Sequence, residues 1–187
     1  MDDLLTRSGG ELAHLIATRA ASATEVVEAH IRRIEEVNPI VNAVVRDRFA
    51  EARVEAARCD ARLARDGSNL PPLFGVPCTV KENFALTGMP QASGLVARRD
   101  VIARRDAPVV ARLRAAGAIP LGVTNTSELC MWMESNNRVY GRTNNPYDPR
   151  RIVGGSSGGE GAIIGAGGSP LGVGSDVGGS IRLPAFF

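Results

Sequence analysis

The sequence has few aromatic residues and little net charge. Aromatic side chains make up 4% of the chain and the formal net charge is +2, with acids and bases spread along its length. Proteins that bind nucleic acid carry clustered basic surface, and single-strand binders add aromatic side chains that stack on bases. Both features are missing, so we predict no nucleic-acid partner.

Targeting and membrane-spanning patterns are also missing. The N-terminal stretch MDDLLTRSGGELAHL does not combine a positive region with a following apolar run, as a secretory signal would. The sequence also has no run of about 18 apolar residues that could cross a bilayer as a helix. We therefore predict a cytoplasmic protein without a membrane span.

Cysteine and histidine are scarce. Cys59, Cys78 and Cys130 are widely spaced, form no CxxC pair and have no nearby histidine, which predicts buried free thiols rather than disulfides or a zinc site. The two histidines, His14 and His30, fall within helical patterns and have no ligand-like neighbours. We predict no metal site.

The first third of the chain shows helical periodicity. Residues 8–37 place apolar side chains at helical spacing and predict two amphipathic helices, with Ser22 and Glu25 as a capping box for the second and Asn38-Pro39 as its end. A short strand and a helix of roughly 18 residues then run to Gly67.

Two strands are predicted further along, with a helix between them. Residues 76–80 form an apolar run bounded by proline and glycine, with Lys81 at or just past its end. Residues 119–123 form the second run, after a helix that stops at Gly117. This alternation predicts an α/β fold, with a mixed sheet between layers of helices.

The stretch over residues 130–151 has no regular period and is rich in Asn, Pro and Gly. It contains Trp132, Tyr140 and Tyr147, and large aromatic side chains normally need burial. We predict an ordered loop that lines a site.

Glycine and serine are concentrated near the end of the chain. Residues 154–180 hold 12 of the 21 glycines and five serines, a composition typical of a flexible linker. However, apolar side chains recur at residues 162–164 and again at 171 and 173. This spacing predicts a helix that begins after the paired serines and ends at Gly167-Gly168, followed by a buried strand.

Three motifs compete for this segment. A phosphate-binding loop needs a lysine after its last glycine, and a dinucleotide fingerprint needs G-x-G-x-x-G, but neither pattern is present. Residues 154–158 do match G-x-S-x-G, the nucleophile elbow, with Ser156 at its centre. That motif needs a later histidine, and none follows His30. A histidine-dependent esterase using Ser156 stays open, with the histidine supplied from beyond these residues.

Lysine is almost absent. Of the 22 basic residues, Lys81 is the only lysine. Arginine stays protonated in proteins, whereas a buried ammonium group can lose its proton and act as a base. Lys81 is therefore a candidate base for a serine nucleophile, although chance survival in an arginine-rich chain would also explain it.

Four stretches of the sequence read GVPCTVKEN, GVTNTSEL, NNPYDP and GGSSGGEGAIIGAGGSPLGVGSDVGGSIRLPA. Together they resemble the amidase signature family of serine hydrolases, and its fatty-acid amide hydrolase branch in particular. The resemblance implies a Ser-cis-Ser-Lys triad with Ser180 as nucleophile, Ser156 as proton relay and Lys81 as base. It also implies a cis peptide between Gly155 and Ser156.

The resemblance assigns further roles around Ser180. Successive backbone N–H groups in a glycine-rich turn can form an oxyanion hole. The residues concerned are Val177, Gly178, Gly179 and Ser180. We interpret Ser157, Asp176 and Arg182 as supports that hold the turns. Glu160 stands where many members have a small residue, and Lys-Glu-Asn replaces the commoner Lys-Asp-Asn.

The implied function is hydrolysis of a small-molecule amide to an acid and an amine or ammonia, without a metal or organic cofactor. Family members usually run to several hundred residues. We therefore interpret residues 1–187 as one incomplete amidase domain, with a helical region over 1–66 and the start of the sheet core over 67–187. A truncated, inactive fragment is the non-enzyme alternative, and the sequence leaves a homodimer open.

Overall fold

A computed structural model describes residues 3–187, which form a mixed sheet flanked by helices. The predicted α/β class is therefore confirmed. The helices and strands, in chain order, are α1 (Gly9–Ala17), α2 (Ala23–Val41), β1 (Val44–Asp47), α3 (Phe49–Arg65), β2 (Pro77–Lys81), α4 (Pro108–Ala115), β3 (Ile119–Thr124), β4 (Asn136–Asn137), β5 (Gly141–Arg142), α5 (Gly158–Gly165), β6 (Gly172–Val173) and α6 (Arg182–Phe186). Short 3-10 turns lie at Asp3–Thr6, Val96–Arg98 and Glu128–Cys130.

The main sheet has the strand order β1-β3-β2-β6. The two central strands, β2 and β3, run parallel, and every residue in both is buried. β6 is parallel to β2, whereas β1 is antiparallel to β3. Because β2 and β3 are parallel, their carboxyl ends meet at one edge of the sheet, where Lys81 is the register partner of Thr124.

The main core lies where α1, α2, α3 and α5 pack on one another and on the sheet. Its fully buried side chains include Leu12, Ile16, Ile31, Leu121 and Ile163. A second, smaller cluster joins Val80 and Val123 to Val110 of α4. Of these helices, α1 and α2 are the amphipathic ones that the sequence predicts, and their apolar faces pack in the main core.

The start of α2 follows the prediction, but its end does not. Ser22 and Glu25 form the predicted capping box. The helix continues through Pro39 to Val41 instead of closing at Asn38-Pro39. Proline removes only its own N–H donor, and the next turn still forms because Asn42 donates to the Asn38 carbonyl at 2.8 Å. Asn42 ends the helix in the left-handed conformation, with φ of 48°.

The loop over residues 130–151 is ordered, but the prediction that its aromatic side chains are buried was largely wrong. Trp132 is 63% exposed and Tyr147 is 76% exposed, whereas Tyr140 is half-buried. Side-chain hydrogen bonds to backbone order the loop instead. Asn137 accepts from the N–H groups of residues 139 and 140, and Asn145 accepts from those of 147 and 148.

The end of the glycine-rich segment also differs from the prediction. The helix α5 forms after the serines and ends at Gly165, with Gly167 in the following turn at φ of 76°. The predicted buried strand is only the two-residue β6, which is half-buried, because it lies at the sheet edge and pairs with β2 alone.

Of the three free thiols, which the sequence predicts to be buried, Cys78 is buried, while Cys59 and Cys130 are partly exposed. Within residues 3–187, no helix is both long and apolar enough to span a membrane.

Candidate active site

Lys81 is the last residue of β2, and its side chain is fully buried. Its Nζ donates to the Ser156 Oγ at 2.6 Å and to the Ser175 Oγ at 3.1 Å. The strand therefore places the chain's only lysine against two serine hydroxyls of the glycine-rich segment.

The environment of Lys81 favours its neutral form. Burial lowers the pKa of the Lys81 amine below its ordinary value, against the opposing effects of the Cys130 thiol, Glu160 and Asp176. A lowered pKa increases the fraction of neutral amine near neutral pH. Only that neutral amine can accept a proton from a hydroxyl.

Ser156 lies in the turn before α5. The Gly155–Ser156 peptide is cis, as predicted, and Gly154 has φ of 78°. A Cβ on Gly155 would lie 2.7 Å from the Glu134 nitrogen and 2.8 Å from the Trp132 oxygen, so only glycine fits there. The Ser135 hydroxyl holds the other side of the turn, since it donates to the Ser156 carbonyl at 3.1 Å and accepts from the Gly158 N–H at 2.8 Å.

Ser180 lies in a neighbouring turn and is half-buried. Its carbonyl accepts from the Ser157 N–H at 3.0 Å, which joins the two turns through the backbone. Within residues 3–187, no hydrogen bond links the Ser180 hydroxyl to the Ser156 hydroxyl. The structure thus brings Lys81 and Ser156 into direct contact and places the Ser180 backbone beside them.

Asp176 organises the turn that carries Ser180. Its carboxylate accepts from the backbone N–H groups of Gly179, Ile181 and Arg182 at 2.8 to 3.0 Å. It also accepts from the Arg182 guanidinium at 2.8 Å. Hydrogen bonds from Arg182 and these backbone donors hold the pKa of Asp176 far below its ordinary value. The carboxylate therefore stays ionised and keeps the turn closed.

The backbone donors of this turn are divided between two tasks. The Gly179 N–H donates to Asp176, and Gly179 has φ of 120°. The backbone N–H groups of Val177, Gly178 and Ser180 have no hydrogen-bond partner within the described residues 3–187. Ser157 holds the opposite side, because its hydroxyl contacts both the N–H and the carbonyl of Ser175 at 3.3 Å.

Two polar groups at this edge were missed by sequence reasoning. Ser175 contacts Lys81 directly, and only the pairing of β6 with β2, which the sequence does not reveal, brings it there. Glu82 is fully buried, and its carboxylate accepts from the Tyr140 hydroxyl at 2.7 Å and from the Ser93 N–H at 2.8 Å. The position of Glu82 directly after the candidate base Lys81 was the one indication in the sequence that it lies near the site.

Comparisons with known proteins show which family this chain is similar to. A family model described as Amidase matches residues 25–187. Fatty-acid amide hydrolase 2-A of Danio rerio is 58% identical over 98% of this chain, and fatty-acid amide hydrolase 2 of Homo sapiens is 57% identical over 100% of this chain. A solved structure of a fatty acid amide hydrolase superimposes with a TM-score of 0.94 at 34% identity, over 97% of this chain and 32% of that one.

These matches define a class of hydrolytic enzymes built on one α/β fold. The chain belongs to the amidase signature family, and fatty-acid amide hydrolases are among its most similar relatives. It spans 36% of the length of those two curated relatives.

Proposed function

We propose that this chain carries the catalytic residues of an amide hydrolase that cleaves a carboxylic amide to an acid and an amine or ammonia. The observation that carries the proposal is the 2.6 Å contact between the buried Lys81 amine and the Ser156 hydroxyl. A lysine in this environment can accept a proton from a serine, which is the activation that a serine nucleophile needs.

In the proposed reaction, the Ser180 Oγ attacks the amide carbonyl carbon while its proton passes to Ser156, and the Ser156 proton passes to Lys81. The tetrahedral intermediate then collapses as the same path returns a proton to the leaving nitrogen, which leaves an acyl-enzyme on Ser180. Water hydrolyses the acyl group by the same path. The first step requires the Ser180 hydroxyl to reach hydrogen-bond distance of Ser156.

The oxyanion of that intermediate would be stabilised by backbone donors of the Ser180 turn. Val177, Gly178 and Ser180 are the candidates whose N–H groups are free of other partners within residues 3–187. Gly179 was assigned to the same role by resemblance, and its N–H would have to leave Asp176 to take part. Asp176, Arg182 and Ser157 would keep the turn in place.

We propose a fatty-acid amide as the substrate class, because two curated relatives above 55% identity are named fatty-acid amide hydrolases. Residues 1–66 would form the helical cover of the domain and 67–187 the start of its catalytic sheet. A cytoplasmic location and a homodimer stay predictions. The histidine-dependent esterase is the weaker candidate, since the Ser156 hydroxyl already pairs with Lys81.

The proposal is tested in the full natural chain by fluorophosphonate labelling of serine and by hydrolysis of long-chain and short-chain primary amides. Ser180→Ala should abolish labelling, and Ser156→Ala and Lys81→Met should lower kcat/KM about a thousandfold or more. Ser169→Ala is the matched control, because this buried serine of the same segment contacts only the Leu171 carbonyl. Labelling of Ser180→Ala at the unmodified rate, or full activity of Lys81→Met, would overturn the proposal.

A further inference from the structure

Glu160, the third residue of α5, has a buried carboxylate. It is 5% exposed, and each of its two oxygens accepts a hydrogen bond at 2.7 Å. The donors are the hydroxyls of Thr79 in β2 and Thr124 at the end of β3. The side chain therefore bridges the two central strands from the first turn of a helix.

The surrounding backbone leaves a slot of the size this carboxylate needs. A Cβ on Gly172 of β6 would overlap the Glu160 carboxylate, and a Cβ on Gly159 would overlap the backbone of Asn125. Glycine at both positions lets the helix start approach the ends of the strands. A buried carboxylate is costly unless hydrogen bonds satisfy it, so a slot with two hydroxyl donors indicates a specific role for the charge or the bridge.

The bridge joins the elements that carry the catalytic pair. Lys81 lies two residues after Thr79 on β2 and is the register partner of Thr124 on β3. Ser156 lies four residues before Glu160, in the turn that leads into α5. A shift of α5 relative to the strands would therefore change the distance between the Lys81 amine and the Ser156 hydroxyl.

The charge of Glu160 also acts on Lys81. Burial raises the pKa of Glu160 to about 7, against its hydrogen bonds to Thr79 and Thr124 and the charge of Lys81. In return, Glu160 favours the ammonium form of Lys81, as do Cys130 and Asp176. The charge of Glu160 also acts on Cys78 of β2. Burial, and then this charge, raise the pKa of the Cys78 thiol.

We propose that Glu160 is a positioning residue for the Lys81–Ser156 pair. Its carboxylate ties the first turn of α5 to β2 and β3, and its negative charge raises the pH at which Lys81 becomes a base. This inference rests on the proposed function, because it assigns Lys81 the role of proton acceptor.

Two substitutions separate the bridge from the charge. Glu160→Gln keeps the length and can accept from one threonine and donate to the other, but it removes the negative charge. Because that charge favours the ammonium form, Glu160→Gln should move the acid limb of the labelling rate to lower pH by about one unit. Its plateau rate should stay close to that of the unmodified chain.

Glu160→Asp keeps the charge but is too short to reach both hydroxyls. Its plateau rate should fall about tenfold, with KM nearly unchanged. Its acid limb should move less than that of Glu160→Gln. Glu36→Gln, at an exposed position on α2, is the matched control for loss of a glutamate charge.

The decisive measurement is the pH profile of fluorophosphonate labelling of Ser180 in the full chain, alongside kcat and KM. An unmoved acid limb in Glu160→Gln, or an undiminished plateau in Glu160→Asp, would overturn the inference. Lys81→Met separates the two proposals. If Lys81→Met abolishes labelling while both Glu160 variants match the unmodified chain, the inference about Glu160 is wrong and the proposed function stands. If Lys81→Met is labelled normally, the proposed function itself is wrong.

Discussion

Lys81 illustrates how burial changes the chemistry that is open to one side chain. On the protein surface it would be one more cation among 22 basic residues. At the end of a buried strand, burial lowers its pKa and two serine hydroxyls fix its position. Arginine at the same place would keep its proton, so the chemistry requires lysine.

Ser175 is the residue whose contribution can be tested most directly. Its hydroxyl is one of the two that accept from the Lys81 amine, at 3.1 Å. Ser175→Ala would remove one of the two serine hydroxyls that accept from the amine and leave the direction of the amine less defined. We expect a loss of about fivefold in the rate of fluorophosphonate labelling at a pH well above the acid limb, since Lys81 is then a neutral amine and a hydrogen bond between uncharged groups contributes about 1 kcal/mol.

Ser169→Ala provides the comparison for Ser175→Ala, because it removes a serine of the same segment without touching Lys81. Equal labelling rates for the unmodified chain and for Ser175→Ala would show that Ser175 does not position the amine.

At the scale of helices and strands, local patterns predicted most of the elements, and long-range pairing explains what they missed. The end of β2 at Lys81 follows from an apolar run bounded by proline and glycine. The place of β6 beside β2 has no local signal, and for that reason Ser175 was not assigned to the site. The contact between Lys81 and Ser156 was predicted from the family resemblance and not from a local pattern, because 75 residues separate the two.

The start of α2 offers a test of how one element is secured. Asp60 of α3 accepts from the Ala23 and Thr24 N–H groups at 2.7 and 3.1 Å, while Ser22 accepts from the Glu25 N–H at 3.0 Å. Asp60 thus satisfies two of the free N–H groups and links two helices. We expect Asp60→Ala to lower the free energy of unfolding by about 2 kcal/mol and Ser22→Ala by about 1 kcal/mol.

Urea unfolding of the full chain measures both changes. Asp100→Ala is the control, because that carboxylate is 92% exposed and pairs only loosely with Arg99 at 3.5 Å. If Ser22→Ala lowers the free energy of unfolding more than Asp60→Ala does, the start of α2 depends on its local cap rather than on its contact with α3.

For the molecule as a whole, the buried carboxylates of the site set how stability varies with pH. The pKa of Glu160 is raised to about 7 by burial, so between its unfolded value near 4.3 and that pKa the native state binds more protons than the unfolded state. Stability must then fall as the pH rises through this range. Burial also raises the pKa of Glu82, which adds to the same trend.

Carboxylates with lowered pKa act in a different window. The pKa of Glu28 is lowered by its hydrogen bond with Arg53, so the stability it contributes is lost only as the pH falls below its unfolded value. The decline between pH 5 and pH 8 therefore comes from the buried carboxylates with raised pKa, and the lowered pKa of Lys81 acts against it as the pH rises.

We expect Glu160→Gln to remove the larger part of this decline. Between pH 5 and pH 8 the unmodified chain should lose about 3 kcal/mol more of its unfolding free energy than Glu160→Gln does, because each unit of pKa shift corresponds to about 1.4 kcal/mol. Urea unfolding of the full chain at the two pH values gives the comparison, with Glu36→Gln as the control. Parallel declines of the unfolding free energy in all three proteins would contradict this expectation. They would mean that Glu160 ionises in the folded state as easily as in the unfolded chain, because the hydroxyls of Thr79 and Thr124 offset the cost of its burial.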